Sequence, residues 1–136
     1  WGHDISPEEN PFEAGLGFAV KLNKDHDFLG KIHLLNPENN SKKQFVMLSL
    51  VESKPGKPLL IHDEPIYFEG KIVGETTSGN YSFCYDKNIA FGYISSNIDK
   101  NNTKNNFFEI EVEKNKYKAK LEPEPLHDPK NILIKS

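Results

Sequence analysis

The stretch FEIEVEKNKYKAKL, residues 108–121, decides the fold class, because acidic and apolar residues alternate in its first half and basic and apolar residues alternate in its second half. Such alternation with a period of two is typical of β-strands with one buried face. A turn at Lys114 and Asn115 predicts an antiparallel hairpin in which acids face bases and apolar side chains face each other. We expect the apolar face to lie in the core and the charged face to be solvated. The predicted pairs are Glu113 with Lys116, Glu111 with Lys118, Glu109 with Lys120, Val112 with Tyr117, Ile110 with Ala119 and Phe108 with Leu121.

Further strand-sized segments precede this hairpin at a spacing of roughly ten residues. Residues 45–51 are apolar on both faces, which predicts a central strand. Glu69 and Gly70 predict a tight hairpin turn between two short strands. The chain is therefore predicted to be mainly β, as a small antiparallel barrel or sandwich. The predicted strands before the last hairpin are residues 45–51, 65–68, 71–74, 81–85 and 89–94.

The first 40 residues have a mixed α/β pattern. Asn10 is a predicted helix cap, and Glu13 stands where its carboxylate can bond back to the cap and favour the helix dipole. Residues 18–22 are predicted to be extended, and Asp27 is predicted to cap a second short helix that ends near Leu35. The polar residues 36–43 form the best internal boundary. We therefore expect two units, residues 1–40 and residues 41–136.

Composition narrows the classes of function. A chain of 136 residues with a net charge of −3 fits one domain and offers no electrostatic case for nucleic acid. All 17 basic residues are Lys, so an anion must be bound by a point charge or by backbone N–H groups rather than by a two-pronged Arg. No apolar run reaches the roughly 18 residues that a membrane helix needs. The five His residues show no metal-ligand spacing, so we expect no metal site.

A few residues carry chemistry that the pattern alone leaves open. His3 and Asp4 could orient an imidazole for proton transfer, or Asp4 could cap a turn beside a half-exposed His. Lys24 lies in the polar cluster KDHD, residues 24–27, which is either a surface loop or the cationic rim of a ligand pocket. The single Cys84 excludes an internal disulfide, and its aromatic neighbours predict a buried thiol.

Three ordered blocks of sequence resemble the aminomethyltransferase family, which includes the glycine cleavage T protein and the folate-binding halves of dimethylglycine and sarcosine dehydrogenases. The blocks are spread over about ninety residues, which is far more specific than a lone motif. The opening Trp-Gly-His-Asp and the closing Pro-Leu-His-Asp-Pro are similar to the dehydrogenase branch. The blocks are GHDISPEENPFEAGLG at residues 2–17, VKLNKDHDFLGK at residues 20–31, and GETTSGNYS with KNIAFGYI at residues 74–82 and 87–94.

The resemblance implies a β-barrel C-terminal domain from about residue 41 and, before it, the end of a folate-binding region. In the family, tetrahydrofolate accepts a one-carbon unit, and the key acidic groups would precede Trp1. The folate-contacting Arg of the family falls near Lys24, and Trp1 either lines the pterin pocket or is a core aromatic. The dehydrogenase branch further implies FAD in a preceding region, the remaining domains of a parent polypeptide as partners and a methylated amine as substrate.

The resemblance thus predicts a structural, non-catalytic segment of an enzyme located in the cytoplasm, or in the mitochondrial matrix of a eukaryote, with neither nucleic acid nor membrane as a partner. Two alternatives stay open. One is an independent binding or docking module built on the barrel. The other is part of a related folate-dependent demethylase.

Overall fold

Six β-strands form a closed antiparallel barrel in the computed structural model, which describes residues 1–36, 41–100 and 107–135. The order around the barrel is β1, β4, β3, β2, β5, β6, and β1 pairs with both β4 and β6 to close it. The predicted mainly β fold is confirmed. Of the two predicted architectures, barrel and sandwich, the structure has the barrel. The strands are β1 Lys43–Leu50, β2 Pro65–Phe68, β3 Lys71–Ser82, β4 Lys87–Ser95, β5 Phe108–Val112 and β6 Asn115–Glu122.

The hairpin of β5 and β6 has the predicted faces but not the predicted register. Its turn lies at Glu113 and Lys114, which both have positive φ, as a two-residue turn of type I′ requires. The turn is one residue earlier than predicted, so each residue of β5 pairs with a β6 residue two positions earlier. A shift of two preserves the alternation, which is why the pattern could not distinguish the two registers. The observed pairs are Phe108 with Ala119, Glu109 with Lys118, Ile110 with Tyr117, Glu111 with Lys116 and Val112 with Asn115.

The barrel interior is filled by aliphatic side chains and one phenyl ring. Burying one large apolar side chain contributes about 1.5–3 kcal/mol, so these residues dominate the stability of the fold. Leu60, from the segment between β1 and β2, belongs to the same core as the strands. The other core residues are Val46, Leu48, Leu50, Ile66, Ala90, Ile94, Phe108, Ile110, Val112, Ala119 and Leu121.

Strands β3 and β4 approach each other closely where the barrel wall bends. The pairing of these strands shifts between Thr76 and Ser78, which leaves Thr77 as the extra residue of a β-bulge. Gly92 faces this bulge, and a Cβ atom there would lie 2.4 Å from the carbonyl oxygen of Glu75. Only glycine therefore fits at position 92 without moving the backbone.

The first 36 residues contain less helix than predicted. The Asn10 side chain accepts hydrogen bonds from the N–H groups of Phe12 and Glu13 at 2.9 and 3.0 Å, so the predicted cap forms, but the segment makes only turns. Gly15, with φ 73°, ends this turn. A 3₁₀-helix, Gly17–Ala19, replaces part of the predicted extended segment.

The second helix, α1, is shorter than predicted and has a different cap. It spans Lys31–Leu35, and its cap is Gly30 in the left-handed region rather than Asp27. The Asp27 carboxylate instead accepts a hydrogen bond from the N–H of Phe28 at 2.9 Å. Residues 37–40, which are half of the predicted connector of residues 36–43, lie outside the described residues.

Candidate functional site

Residues 1–16, which we name the N-terminal strap, cross the outer face of strands β3, β4 and β1. Asp4 Oδ1 accepts hydrogen bonds from Thr77 Oγ1 at 2.6 Å and from Ser78 Oγ at 2.8 Å. The carbonyl oxygen of Asp4 accepts a third bond, from the phenol of Tyr93 at 2.9 Å. Asp4 therefore bonds to the barrel, and neither expected role, orienting His3 or capping a local turn, describes these contacts.

Glu9 forms the second contact between the strap and the barrel. Its Oε1 lies 2.5 Å from Lys43 Nζ of β1, and its Oε2 accepts bonds from the N–H and hydroxyl of Ser6 at 2.7 and 2.6 Å. Burial by itself raises the pKa of Glu9, but the hydrogen bonds from Lys43 and Ser6 and the Lys43 charge lower it more, to about 2. Glu9 was not singled out from the sequence, although the Ser-x-x-Glu spacing of Ser6 and Glu9 is a capping signal.

Glu13 forms the third contact. Its side chain bonds back to the N–H of Asn10 at 3.1 Å, as predicted, and also accepts a bond from the N–H of Lys42 at 3.0 Å. The carbonyl oxygen of Glu13 accepts the N–H of Phe45 at 2.9 Å, and the residue is 7% exposed. The local sequence predicted the first bond, but it did not predict the contacts with Lys42 and Phe45, which lie about thirty residues further along the chain.

Three of the four carboxylates of the strap lie close enough to Tyr93 to act on its phenol. Burial, followed by the negative charges of Glu9, Asp4 and Glu13, raises the pKa of Tyr93 to about 12. The phenol therefore stays protonated at neutral pH and can donate its bond to the Asp4 carbonyl. Tyr93 is thus a hydrogen-bond donor that joins β4 to the strap.

A polar groove of about 650 Å³ lies beside the strap. His62 Nδ1 is 2.7 Å from the carboxylate of Asp63, and the rings of His3 and His62 are 5.5 Å apart between centroids. Glu9 and Lys43 line the same groove. Within residues 1–36, 41–100 and 107–135, no three His, Cys, Asp or Glu side chains are grouped so that they could hold a metal ion.

A second, mostly apolar groove of about 830 Å³ lies on the same outer face, between Gly15 at the end of the strap and the segment that follows β6. Phe45 and Phe91 stack on its floor with centroids 5.5 Å apart and an interplanar angle of 7°. Lys100 at its edge donates a bond to the carbonyl of Phe45 at 2.8 Å, and burial lowers the pKa of Lys100. The remaining lining includes Met47, Tyr81, Tyr85, Ile89, Leu121, Pro123, Pro125 and Leu126.

The two candidate cofactor residues lie outside these grooves. Trp1 is 88% exposed, so it is not a core aromatic in this structure. Lys24 is also exposed, and its carbonyl accepts a bond from Lys31 Nζ at 2.8 Å. An enclosed pterin site needs apolar walls with convergent polar groups, and the described residues around Trp1 and Lys24 do not form one by themselves. The segment thus does not fit folate as a self-sufficient site.

Cys84 is exposed in the turn between β3 and β4, so the predicted buried thiol is wrong. Its neighbours Phe83 and Tyr85 lie in the same turn, between the end of β3 at Ser82 and the start of β4 at Lys87, and leave the thiol exposed. Over the described parts of the chain, no helix combines the length and the apolar character needed to cross a membrane.

Two known proteins are similar in sequence to 93% of this chain. Dimethylglycine dehydrogenase of Mus musculus is 35% identical over 126 residues, which is 93% of this chain and 14% of that protein. The aminomethyltransferase of Bacillus subtilis is 33% identical over 93% of this chain and 33% of its own length. The chain therefore spans a third or less of these relatives.

A solved structure shows the same fold. The glycine cleavage system aminomethyltransferase T from Bartonella henselae superposes with a TM-score of 0.65 at 21% identity, over 87% of this chain and 32% of that chain. The model of the glycine cleavage T-protein C-terminal barrel domain matches residues 43–128, which include all six strands. The chain therefore belongs to the family of the glycine cleavage T-protein C-terminal barrel domain.

Proposed function

We propose that this chain is the C-terminal segment of a longer, folate-dependent protein that transfers a one-carbon unit to tetrahydrofolate from a dimethylglycine- or sarcosine-type amine. Residues 1–40 would be the end of the folate-binding region, and residues 41–136 the barrel. The observation that carries the proposal is that relatives resemble 93% of the chain but extend far beyond it, the chain being 14% of the dehydrogenase and 33% of an aminomethyltransferase.

The role of the segment is structural in this proposal. It closes one side of the folate cleft, while the acidic groups that act on the substrate belong to the preceding region. Trp1 and Lys24 are the residues we propose for the wall of the cleft. Lys24 can meet an anionic group of the cofactor only as a point charge, because its ammonium lacks the planar fork of Arg.

Apolar surface supports a contact with further domains. Outside the barrel, Phe18 and Ile32 are each 78% exposed, and Leu29 is fully exposed. The apolar groove with Phe45 and Phe91 adds to this surface. Exposed apolar areas of this kind are typical of surfaces that contact another domain or protein rather than of surfaces that face water. We propose the remaining domains of the parent polypeptide as the cover, with FAD in one of them and a cytoplasmic or mitochondrial matrix location.

Calorimetric titration of this chain with tetrahydrofolate tests the proposal. We expect no binding tighter than about 1 mM, which corresponds to about −4 kcal/mol, because the chain supplies only part of the cleft. Micromolar affinity would show that the pocket is complete in this segment and would contradict the structural role. A Lys24→Ala variant is the matched control, since any measured affinity that involves the proposed wall must fall when this charge is removed.

Two other functions compete with this one. The apolar groove also suits an independent docking module, and only titration with folate or with a protein partner separates that module from a segment of an enzyme. A related folate-dependent demethylase is the second alternative. The sequence that precedes this segment distinguishes it, because a flavin-binding fingerprint there supports the dehydrogenase branch and its absence supports a transferase or demethylase.

A further inference from the structure

We propose that the N-terminal strap and the outer face of β1, β3 and β4 form an internal docking interface that is held by the carboxylates Asp4, Glu9 and Glu13. This interface fixes the strap in one position on the barrel. It is independent of folate chemistry and therefore goes beyond the proposed function.

Hydrogen bonds and one ion pair, rather than apolar burial, make this interface. Among residues 1–16, only Glu13 and Ala14 are buried. The three carboxylates are spaced along the strap so that each reaches a different part of the barrel. Asp4 contacts β3, Glu9 contacts Lys43 in β1, and Glu13 contacts Lys42 just before β1.

The barrel face is complementary to acidic side chains because it presents donors. An ionised carboxylate accepts hydrogen bonds and cannot donate them. The groups that face them are the hydroxyls of Thr77 and Ser78, the ammonium of Lys43 and the N–H of Lys42. Tyr93 adds a phenol that donates to the strap backbone. A strap with basic or apolar residues at these positions would leave the donors unpaired.

The β-bulge in β3 gives the interface its most specific feature. Successive side chains of a regular strand point to opposite faces, so Thr77 and Ser78 could not both contact one atom in a regular strand. The extra residue at the bulge turns both hydroxyls to the same side, where both donate to Oδ1 of Asp4. The bulge therefore serves both to bend the barrel wall and to form the Asp4 site.

The interface also determines where the start of the strap lies. The N–H of Gly2 donates to the carbonyl of Ile5 at 2.8 Å, which closes a turn around Asp4. Trp1 precedes this turn directly, so Asp4 acts as a positioning residue for it. A role of this position in a cofactor cleft rests on the proposed function. The interface itself does not depend on that function.

The single tryptophan makes the strap directly observable in the full chain, because Trp1 lies at its end. Time-resolved fluorescence anisotropy is measured for the wild type, Asp4→Ala, and the barrel-side double variant Thr77→Val/Ser78→Ala. We expect the fast component of the anisotropy decay to be larger in both variants than in the wild type. It should not increase further when all three changes are combined, because the strap-side and the barrel-side substitutions remove the same contact. The matched control is Glu8→Ala, an exposed strap carboxylate, which should leave the decay unchanged.

Hydrogen exchange on the same proteins separates the strap from the barrel. The Lys42 amide, which donates to the side-chain carboxylate of Glu13, should exchange at least about tenfold faster in Glu13→Ala, while amides of β5 and β6 keep their protection. Unchanged anisotropy in Asp4→Ala, or an equal loss of protection throughout the barrel, would overturn the docking interface. Neither measurement contains folate, so such a result would leave the calorimetric test of the proposed function unaffected.

Discussion

At the scale of a residue, Glu9 joins parts of the chain that are more than thirty positions apart. It bonds to Ser6 within the strap and to Lys43 in β1, and these partners hold its pKa at about 2. The local spacing of Ser6 and Glu9 is visible in the sequence, but the Lys43 contact depends on the fold. Cys84, which was predicted to be buried and is exposed, likewise shows that residue identity and neighbours alone do not predict exposure.

The depressed pKa of Glu9 predicts a pH dependence of stability. The ionised form is favoured in the folded state, so the contribution is present above the ordinary value of 4.5 and is lost as the pH falls toward 2. We expect Glu9→Gln to lower the melting temperature at pH 7, and the difference from the wild type to shrink between pH 4.5 and pH 2. Thermal unfolding followed by circular dichroism measures this.

The control for this experiment is Glu8→Gln, which removes a charge from an exposed position of the same strap. Its melting temperature should follow the wild type at each pH. A constant difference between Glu9→Gln and the wild type over the whole pH range would contradict the assigned role of Glu9.

At the scale of an element, the β5–β6 hairpin shows which structural features the alternation of charged and apolar residues determines and which it leaves open. The pattern of residues 108–121 correctly predicts which side chains are buried, because burial follows the period of two. It does not fix the register, since the turn decides that and Glu113 and Lys114 are not typical residues for positive φ. The bulge at Thr77 is another local feature that no periodic pattern predicts.

The position of the turn can be tested with two glycine substitutions. Lys114 has a φ of 66°, which glycine adopts without strain, so Lys114→Gly should raise the free energy of unfolding by about 0.5 kcal/mol. Asn115 is the first residue of β6, so Asn115→Gly should lower it by about 0.5–1 kcal/mol. Urea unfolding measures both values. A stabilising Asn115→Gly would instead favour a turn at residues 114 and 115.

At the scale of the whole molecule, the outer face of β1, β3 and β4 carries both grooves and the strap. The closed barrel and the family could be predicted from the sequence, because three sequence blocks lie in order along it. The grooves could not be predicted, since they depend on how the strap and the segment after β6 are placed on the barrel. Stacked Phe45 and Phe91 illustrate this, because their contact joins two strands across the sheet.

The apolar groove predicts binding of a hydrophobic dye. We expect 8-anilinonaphthalene-1-sulfonate to bind the native chain, and Phe91→Lys to weaken this binding because it removes part of the groove floor. The melting temperature should change little, since Phe91 lies on the outer face of the barrel. Phe83→Lys is the control, because Phe83 is exposed in the β3–β4 turn outside the groove. Equal loss of dye fluorescence in both variants would contradict a specific groove.

The pairing of β1 with both β4 and β6 has a consequence for biosynthesis. Both neighbours of β1 are translated after it, and the last of them ends at Glu122. While the ribosome is still adding residues, β1 keeps an unpaired edge, and such edges invite association with other chains. Truncation before residue 122 would make that transient exposure permanent, so nascent chains of this barrel depend on rapid completion or on chaperones until the final strand arrives.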